Sequence, residues 1–336
     1  ADPGTTNYRI STSSTTDCVN NVGIFDEATS DVTESAIQAT TVQISGLSHA
    51  ETYYWCAQND NGTVQTSWIE MGEFTTNFIL PIGVTYATFL GGSGHDLGNS
   101  IAVEGGDIYL SGLTLSTNFP ATSGAYDETN GGNEDVFVAK LSPDGAGSLD
   151  LIYATYVGGA GNDAFGWQDV AVATQLAVES GLAYVATSTN STDFPTTAGA
   201  FDTAKGGGTG NNDAAFFRLS VSGDALEYSS YLGGSSTFGD YQDGIAVDSG
   251  LVYIGGTTLS GDFPSTAGSY EPTHNGDGST DAFIVVMDPS GNGAADLVYG
   301  TFLGDVSGPT DAVDIDFDGS LVYIVGYTQA TGYPTV

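Results

Sequence analysis

Tyr86-Ala87-Thr88-Phe89-Leu90-Gly91-Gly92 decides the fold, because it comes back three times in the same chain. It returns as Tyr153-Ala154-Thr155-Tyr156-Val157-Gly158-Gly159, then as Tyr228-Ser229-Ser230-Tyr231-Leu232-Gly233-Gly234, and finally as Tyr299-Gly300-Thr301-Phe302-Leu303-Gly304. The intervals are 67, 75 and 71 residues, a period that marks a repeat architecture. Other marks keep the same beat. Phe119-Pro120, Phe194-Pro195, Phe263-Pro264 and Tyr333-Pro334 recur, as do Asp135-Val136-Phe137, Asp213-Ala214-Ala215-Phe216 and Asp281-Ala282-Phe283.

Each unit holds about four strand-like runs. In the first they are expected at Thr85–Leu90, Ser100–Val103, Ile108–Thr114 and Val136–Leu141, with Gly, Asn and Asp between them. Four short antiparallel strands in about 70 residues is the content of one β-propeller blade, whereas solenoid coils use shorter repeats. The fourth unit reaches Tyr333-Pro334 without its Asp-x-Phe strand, so about three and a half blades are expected. A closed propeller has roughly four to eight. The expectation is therefore an incomplete ring, finished by more of a longer polypeptide or by a neighbouring subunit.

Composition agrees with an all-β chain. Among 336 residues there are 48 Gly, 18 Tyr and 16 Phe, and aromatic and β-branched side chains suit a pleated surface while Gly supplies turns. The chain carries 41 Asp plus Glu against 4 Lys plus Arg, a formal net charge of -37. Such a balance excludes nucleic acid and anionic membrane surfaces as partners, since both need Lys and Arg against phosphate. It leaves cations, high salt or a basic protein surface. With 40% hydrophobic residues and only 13% charged, this is a folding chain and not an acidic tail. No stretch approaches the roughly 20 apolar residues of a membrane helix.

The region from about Thr6 to Thr76 follows a different pattern. Thr41-Val42-Gln43-Ile44-Ser45-Gly46-Leu47, Thr52-Tyr53-Tyr54-Trp55-Cys56-Ala57 and Gly72-Glu73-Phe74-Thr75-Thr76 resemble the second half of a fibronectin type III domain. Asn7-Tyr8-Arg9-Ile10 then takes the place of a middle strand, so truncation at the front is the expected account. The remainder, with Ile101-Ala102-Val103, Ile108-Tyr109-Leu110-Ser111-Gly112 and Asp135-Val136-Phe137-Val138-Ala139-Lys140-Leu141 beside the opening phrase, resembles the bacterial and archaeal SBBP β-propeller repeat family from about Val84 to Val336. That resemblance implies a large secreted or surface-anchored protein carrying fibronectin-like modules, and it brings no catalytic residues with it. The domain expectation is 1–77 as a partial sandwich and 78–336 as propeller repeats.

Acidic turns are the candidate cation sites. Asp314-Ile315-Asp316-Phe317-Asp318-Gly319 sets three carboxylates at alternate positions before a glycine, a spacing that calcium loops use. The competing reading is a hairpin with Val313, Ile315 and Phe317 inward and the acids in water. Asp277 and Asp281 in Asn275-Gly276-Asp277-Gly278-Ser279-Thr280-Asp281, with Asp135 and Asp213 in the matching loops, form the second set. They either bind one calcium per blade or hydrogen-bond their own turns. Cys18 and Cys56 are compatible with one disulfide or with two buried thiols. Asn61 and Asn190 open glycosylation sequons. The Phe-Pro pairs and tyrosines offer either a sugar-binding surface or packing between blades.

His49, His95 and His274 have no metal-ligand spacing, and no nucleophile elbow or phosphate loop appears in a supporting context. A facing carboxylate pair of the glycosidase kind remains open among so many acids. The leading expectation is a non-catalytic structural or adhesive protein of the extracellular surface, with copies of itself or other surface proteins as partners. The alternative is a carbohydrate-binding module or the binding portion of a secreted glycoside hydrolase.

Overall fold

The computed structural model describes residues 5–11, 24–25, 52–60, 69–75, 86–143, 147–164, 174–208, 210–275 and 278–333. The chain divides into two compact units, Ala1–Thr85 and Tyr86–Val336. In the first, β1 (Thr5–Ser11), β2 (Ile24–Phe25), β3 (Thr52–Asp60) and β4 (Ile69–Thr75) make one antiparallel sheet in the order β2-β1-β3-β4. The tyrosine-rich run and the Phe-Thr run are its neighbouring strands, with Tyr53 opposite Phe74. Thr41–Leu47, the further strand on which the fibronectin resemblance relies, lies outside the described residues.

The second unit is a succession of antiparallel blades. β5 (Asp96–Glu104), β6 (Asp107–Thr114), β7 (Asp135–Leu141) and β8 (Leu151–Val157) form the first. β9 (Thr174–Glu179), β10 (Leu182–Thr189), β11 (Asp213–Leu219) and β12 (Leu226–Leu232) form the second. The third comprises β13 (Asp240–Asp248), β14 (Leu251–Thr258), β15 (Asp281–Met287) and β16 (Leu297–Leu303), and β17 (Thr310–Phe317) pairs with β18 (Val322–Thr328) in a two-stranded sheet. In every blade the strands neighbour one another in chain order, so hairpins suffice to build it.

One sequence expectation is corrected. Thr85–Leu90 is not the first strand of the first blade: Tyr86–Leu90 joins no sheet, and Phe89 is fully exposed. Its counterparts β8, β12 and β16 are the last strands of their blades, and Gly158-Gly159 and Gly233-Gly234 lead the chain across to the next sheet. The repeat in the sequence is therefore out of phase with the blade by one strand.

Burial on both faces explains the composition of the third strands. β7 and β11 are buried along almost their whole length: β11 lies between the first and third blades, whereas β7 meets the second blade on one face and is covered on the other by Phe119 and Ala121 of its own blade. One core joins the first blade to the second through Tyr109, Val138 and Tyr153 against Leu176, Phe194 and Tyr231. Another joins the second to the third through Tyr184, Phe216 and Tyr228 against Ile254, Phe263 and Phe302. The Phe-Pro phenylalanines are thus packing residues. Phe119, Phe194 and Phe263 are 4%, 3% and 3% exposed, too little for a ring to stack on a sugar. Phe263 stacks on Phe283 at 4.2 Å and meets Phe302 edge-on at 6.2 Å.

The recurring hydroxyl in the opening phrase has an equally specific task. Thr155 Oγ1 accepts the Asp127 N–H and donates to the Asp127 carbonyl, and Ser230 with Asp202 and Thr301 with Glu271 repeat both bonds. The long loop between the second and third strands is thereby fastened to the last strand. Hairpin turns link neighbouring blades: Glu104 accepts the N–H groups of Ser180 and Gly181, and Glu179 those of Ser249 and Gly250. Both turns place two successive residues at positive φ, which aims their N–H groups together.

Replacing Phe263 by Ala removes the centre of one such aromatic group. Chemical denaturation is expected to show a loss of about 3–5 kcal/mol, and a loss below about 1 kcal/mol would contradict the packing role.

Candidate functional site

The polar chemistry of the blade array is concentrated where one blade meets the next. At each junction a residue at the start of a blade's first strand, or upstream of it in the case of Asp163, donates its N–H to the carbonyl just before the third strand of the preceding blade. Asp163 donates to Glu134 at 2.7 Å, Asp240 to Asn212 at 2.9 Å and Thr310 to Thr280 at 2.8 Å. Beside this bond an oxygen of Asp135 and one of Asp163 both lie within 2.8 Å of where a Cβ on Gly158 would stand, and Asp240 is near enough to Asp213 to act on its charge.

Asp163 and Asp240 organise the start of their own blades. Asp240 Oδ2 accepts the Gly234 N–H at 2.7 Å and the Ser260 hydroxyl at 2.9 Å, and its Oδ1 accepts the Thr258 hydroxyl at 2.5 Å. Asp163 takes the Gly159 N–H and the Thr189 hydroxyl in the same way, and Asp96 the Gly92 N–H with Thr114 and Ser116. The sequence reading passed over this group. Its signal was present as Thr114-Leu115-Ser116, Thr189-Asn190-Ser191 and Thr258-Leu259-Ser260, one Thr-x-Ser at the end of each second strand.

Asp135, Asp213 and Asp281 open the third strands and are 1%, 2% and 0% exposed. Their Oδ2 atoms accept backbone N–H groups from the preceding loop: Gly131 at 2.6 Å, Gly206 at 2.7 Å and Asn275 at 3.0 Å. Each of these carboxylates thus hydrogen-bonds its own turn. The residue before each donor differs. It is Lys205 in the second blade, whose Nζ lies 3.6 Å from Asp213 Oδ1 and donates to the carbonyls of Gly206 and Gly208. It is His274 in the third, with Nε2 3.9 Å from Asp281. In the first it is Asn130.

Asp314, Asp316 and Asp318 do not converge. Asp314 and Asp316 each accept the N–H of the following residue, while Asp318 accepts those of Ser320 and Leu321 and the Tyr323 hydroxyl. Ile315 is buried and Phe317 stacks on Tyr253 at 4.4 Å, but Val313 is 52% exposed because the strand bulges between Ala312 and Asp314. The same bulge in β13 carries Asp243, which accepts the Thr257 hydroxyl. Asn190 holds a loop by accepting the Asn162 N–H. Asp277, Cys18, Asn61 and His49 lie outside the described residues, as does the side chain of Cys56. Among the described residues no three His, Cys, Asp or Glu side chains form a metal-binding group.

A groove of about 400 Å³ runs between the third blade and β17–β18. Phe238, Leu259, Pro309 and Tyr327 supply its apolar wall, and Asp311 and Gln329 its polar groups. Phe238 is 69% and Tyr327 51% exposed. The bases of the second unit are otherwise engaged: Lys140 pairs with Asp107 and Arg218 with Glu227.

No family model matches the chain, and no curated protein matches it. Among solved structures it is similar to a thermostable family-43 glycoside hydrolase, at 11% identity and a TM-score of 0.31, over 86% of this chain and 93% of that one. It is also similar to a mutant of the GH43 protein BlXynB from Bacillus licheniformis, at 10% identity and a TM-score of 0.28, over 86% of this chain and 56% of that one. A mutant of the Synechocystis apocarotenoid oxygenase is similar at 8% identity and a TM-score of 0.28, over 83% of this chain and 50% of that one. The chain spans about half the length of the last two. Likeness at this level establishes neither a family nor an activity.

Burial pushes Asp135 up to about 7, Asp213 up to about 6 and Asp243 up to about 7, and the nearby Asp163, Asp240 and Asp311 carboxylates add to the respective shifts. Each group binds its proton more tightly folded than unfolded. Its stabilising contribution is therefore complete below the ordinary 3.8 and is lost as pH rises through the folded value. The melting temperature, followed in chelator at constant ionic strength, is expected to fall from about pH 5 to about pH 8. Asp135→Asn is expected to flatten that slope, and a slope of the opposite sign would refute the assignment.

Proposed function

We propose that this chain is a non-catalytic structural and adhesive module of an extracellular or cell-surface assembly, in which the blade array serves as spacer and contact surface. The observation that supports it is the division between inward and outward residues. What recurs from blade to blade, namely the Phe-Pro phenylalanines, the hydroxyl fasteners and the junction carboxylates, is engaged inside the array, in building each blade and joining it to the next. Among the large apolar side chains left exposed in the described residues, two stand together on β5, Ile101 at 65% and Val103 at 67%, and four on β17–β18, Val313, Tyr323, Val325 and Tyr327 at 52%, 52%, 61% and 51%. Gathered apolar surface of this kind marks a contact site. Copies of itself or other surface proteins are the partners, and the N-terminal sheet belongs to a fibronectin-like module that precedes the propeller repeats in the chain.

Two chains of net charge -37 repel, so contact needs screening by calcium or salt. Light scattering is the test, run with millimolar calcium and then with chelator at matched ionic strength. Mass is expected to grow with calcium, to collapse with chelator, and to stay monomeric in an Ile101→Lys, Val325→Lys variant. A wild-type chain that remains monomeric under both conditions removes the self-assembly reading.

The groove beside Tyr327 supports a second reading, a carbohydrate-binding module or the binding portion of a secreted hydrolase. Two exposed rings next to a carboxylate and an amide match the apolar face and hydroxyl edge of a sugar, and the acidity of the chain favours a neutral one. Calorimetry with neutral oligosaccharides is expected to give weak 1:1 binding that Tyr327→Ala reduces at least about tenfold, the effect of losing one stacking ring. Binding unchanged in that variant would place any sugar site elsewhere.

A further inference from the structure

The three blade junctions are built alike and differ at two positions, and the differences are chemical. The loop residue three places after the fastened acid, Asp127, Asp202 or Glu271, is Asn130, Lys205 or His274. At the second junction this residue puts an ammonium among oxygen atoms: Asp213 Oδ1 at 3.6 Å and the carbonyls of Gly206 and Gly208 at 3.0 and 3.1 Å. Lys205 is itself buried there, with its side chain 1% exposed. At the third junction an imidazole faces the carboxylate, and the second acid of the pair is replaced by Thr310. The protein thus either adds a base or removes an acid.

The first junction does neither. Asp135 and Asp163 are 1% and 0% exposed, and Asn130 brings no charge. A Cβ added to Gly158 would stand 2.6 Å from Asp135 Oδ1 and 2.8 Å from Asp163 Oδ2, so both oxygens converge on that glycine. Among the described residues Asp135 Oδ1 accepts no hydrogen bond, and the amide nitrogen of Asn130 donates none. A buried carboxylate oxygen without a partner is costly. The loop carbonyls of Gly158 and Gly159 approach Gly131 to within 3.5 and 3.2 Å of its Cβ position, which adds neutral oxygen donors beside the acids.

We infer that the first junction binds a hard divalent cation, calcium in kind, between Asp135 and Asp163, doing there what the Lys205 ammonium does at the second junction. Two carboxylates balance a double charge, and backbone carbonyls and water complete the oxygen shell that calcium takes. The site is internal to one chain and does not depend on assembly, so its failure would leave the proposed assembly untouched.

Thermal unfolding of the dilute monomer tests it. Against chelator, calcium is expected to raise Tm saturably, by about 4 °C at ten times Kd, and sodium at equal ionic strength is not. Asn130→Lys is expected to raise Tm in chelator and to abolish the calcium increment, because it restores the internal cation. Asp135→Asn is expected to lose the increment as well. Should Asn130→Lys not fold, calorimetry on the wild type and Asp135→Asn decides, with one bound calcium per chain present in the first and lost in the second. A wild type that does not respond to calcium overturns the inference, and a Tm that then rises only on acidification assigns the pair to a shared proton. An increment retained in both variants overturns it by placing the ion elsewhere.

Discussion

A blade covered on both faces must bury the polar groups at its edges together with its side chains, and that constraint governs this array. The chain leaving each sheet meets a carbonyl that the same sheet already presents, and one backbone hydrogen bond, from Asp163 to Glu134 or from Asp240 to Asn212, locks the crossing. The chain makes that crossing through Gly-Gly because the acids leave no room. A Cβ at Gly233 would stand 2.8 Å from the Asp213 carboxyl carbon, and one at Gly234 2.6 Å from Asp262 Oδ1. The carboxylates satisfy N–H groups that would otherwise be buried without partners, which is a strong use of a charged acceptor. Their cost is desolvation, and the array meets it differently at each junction.

Much of this was legible in the sequence. The beat of the tyrosine-rich phrase gave the repeat length, the runs between Gly, Asn and Asp gave about four strands to a unit, and Asp-x-Phe marked a strand that proves to be the third of its blade and buried on both faces. The phase was not legible, because a strand's sequence says which faces it buries and not which neighbour it pairs with. Tyr153–Val157 reads the same whether it opens a blade or closes one. Its partner, β7, is fixed by the Val136–Val157 pairing, which only tertiary structure contains. The first unit shows the same limit, since β1 and β3 pair across a wide gap in the chain.

Candidate sites were harder to read for a related reason. Alternating aspartates at 314, 316 and 318 share a spacing with metal loops, yet a strand and a turn disperse them, each bound to its own local N–H. The acids that do come together, Asp135 with Asp163 and Asp213 with Asp240, are separated by more than 25 residues and belong to different blades. Spacing along the chain detects ligands on one loop. It cannot detect a pair assembled by the crossing of two sheets.

Repeats allow a finer reading than motifs do, because each unit is a control for the others. Gly112 lies opposite Phe137 and Gly256 opposite Phe283, where a Cβ on the glycine would meet the ring at 2.7 and 2.5 Å. At the same position the second blade pairs Thr187 with Ala215. A larger residue on one strand is matched by a smaller one on the other, so the quantity kept constant is the filled volume and not either residue. The junction charges obey the same logic in two cases of three. Lys205 answers Asp213 with Asp240, and Thr310 stands in for the second acid beside Asp281. A position that breaks a compensation kept elsewhere in the same chain points to a component from outside the chain, and Asn130 is such a position.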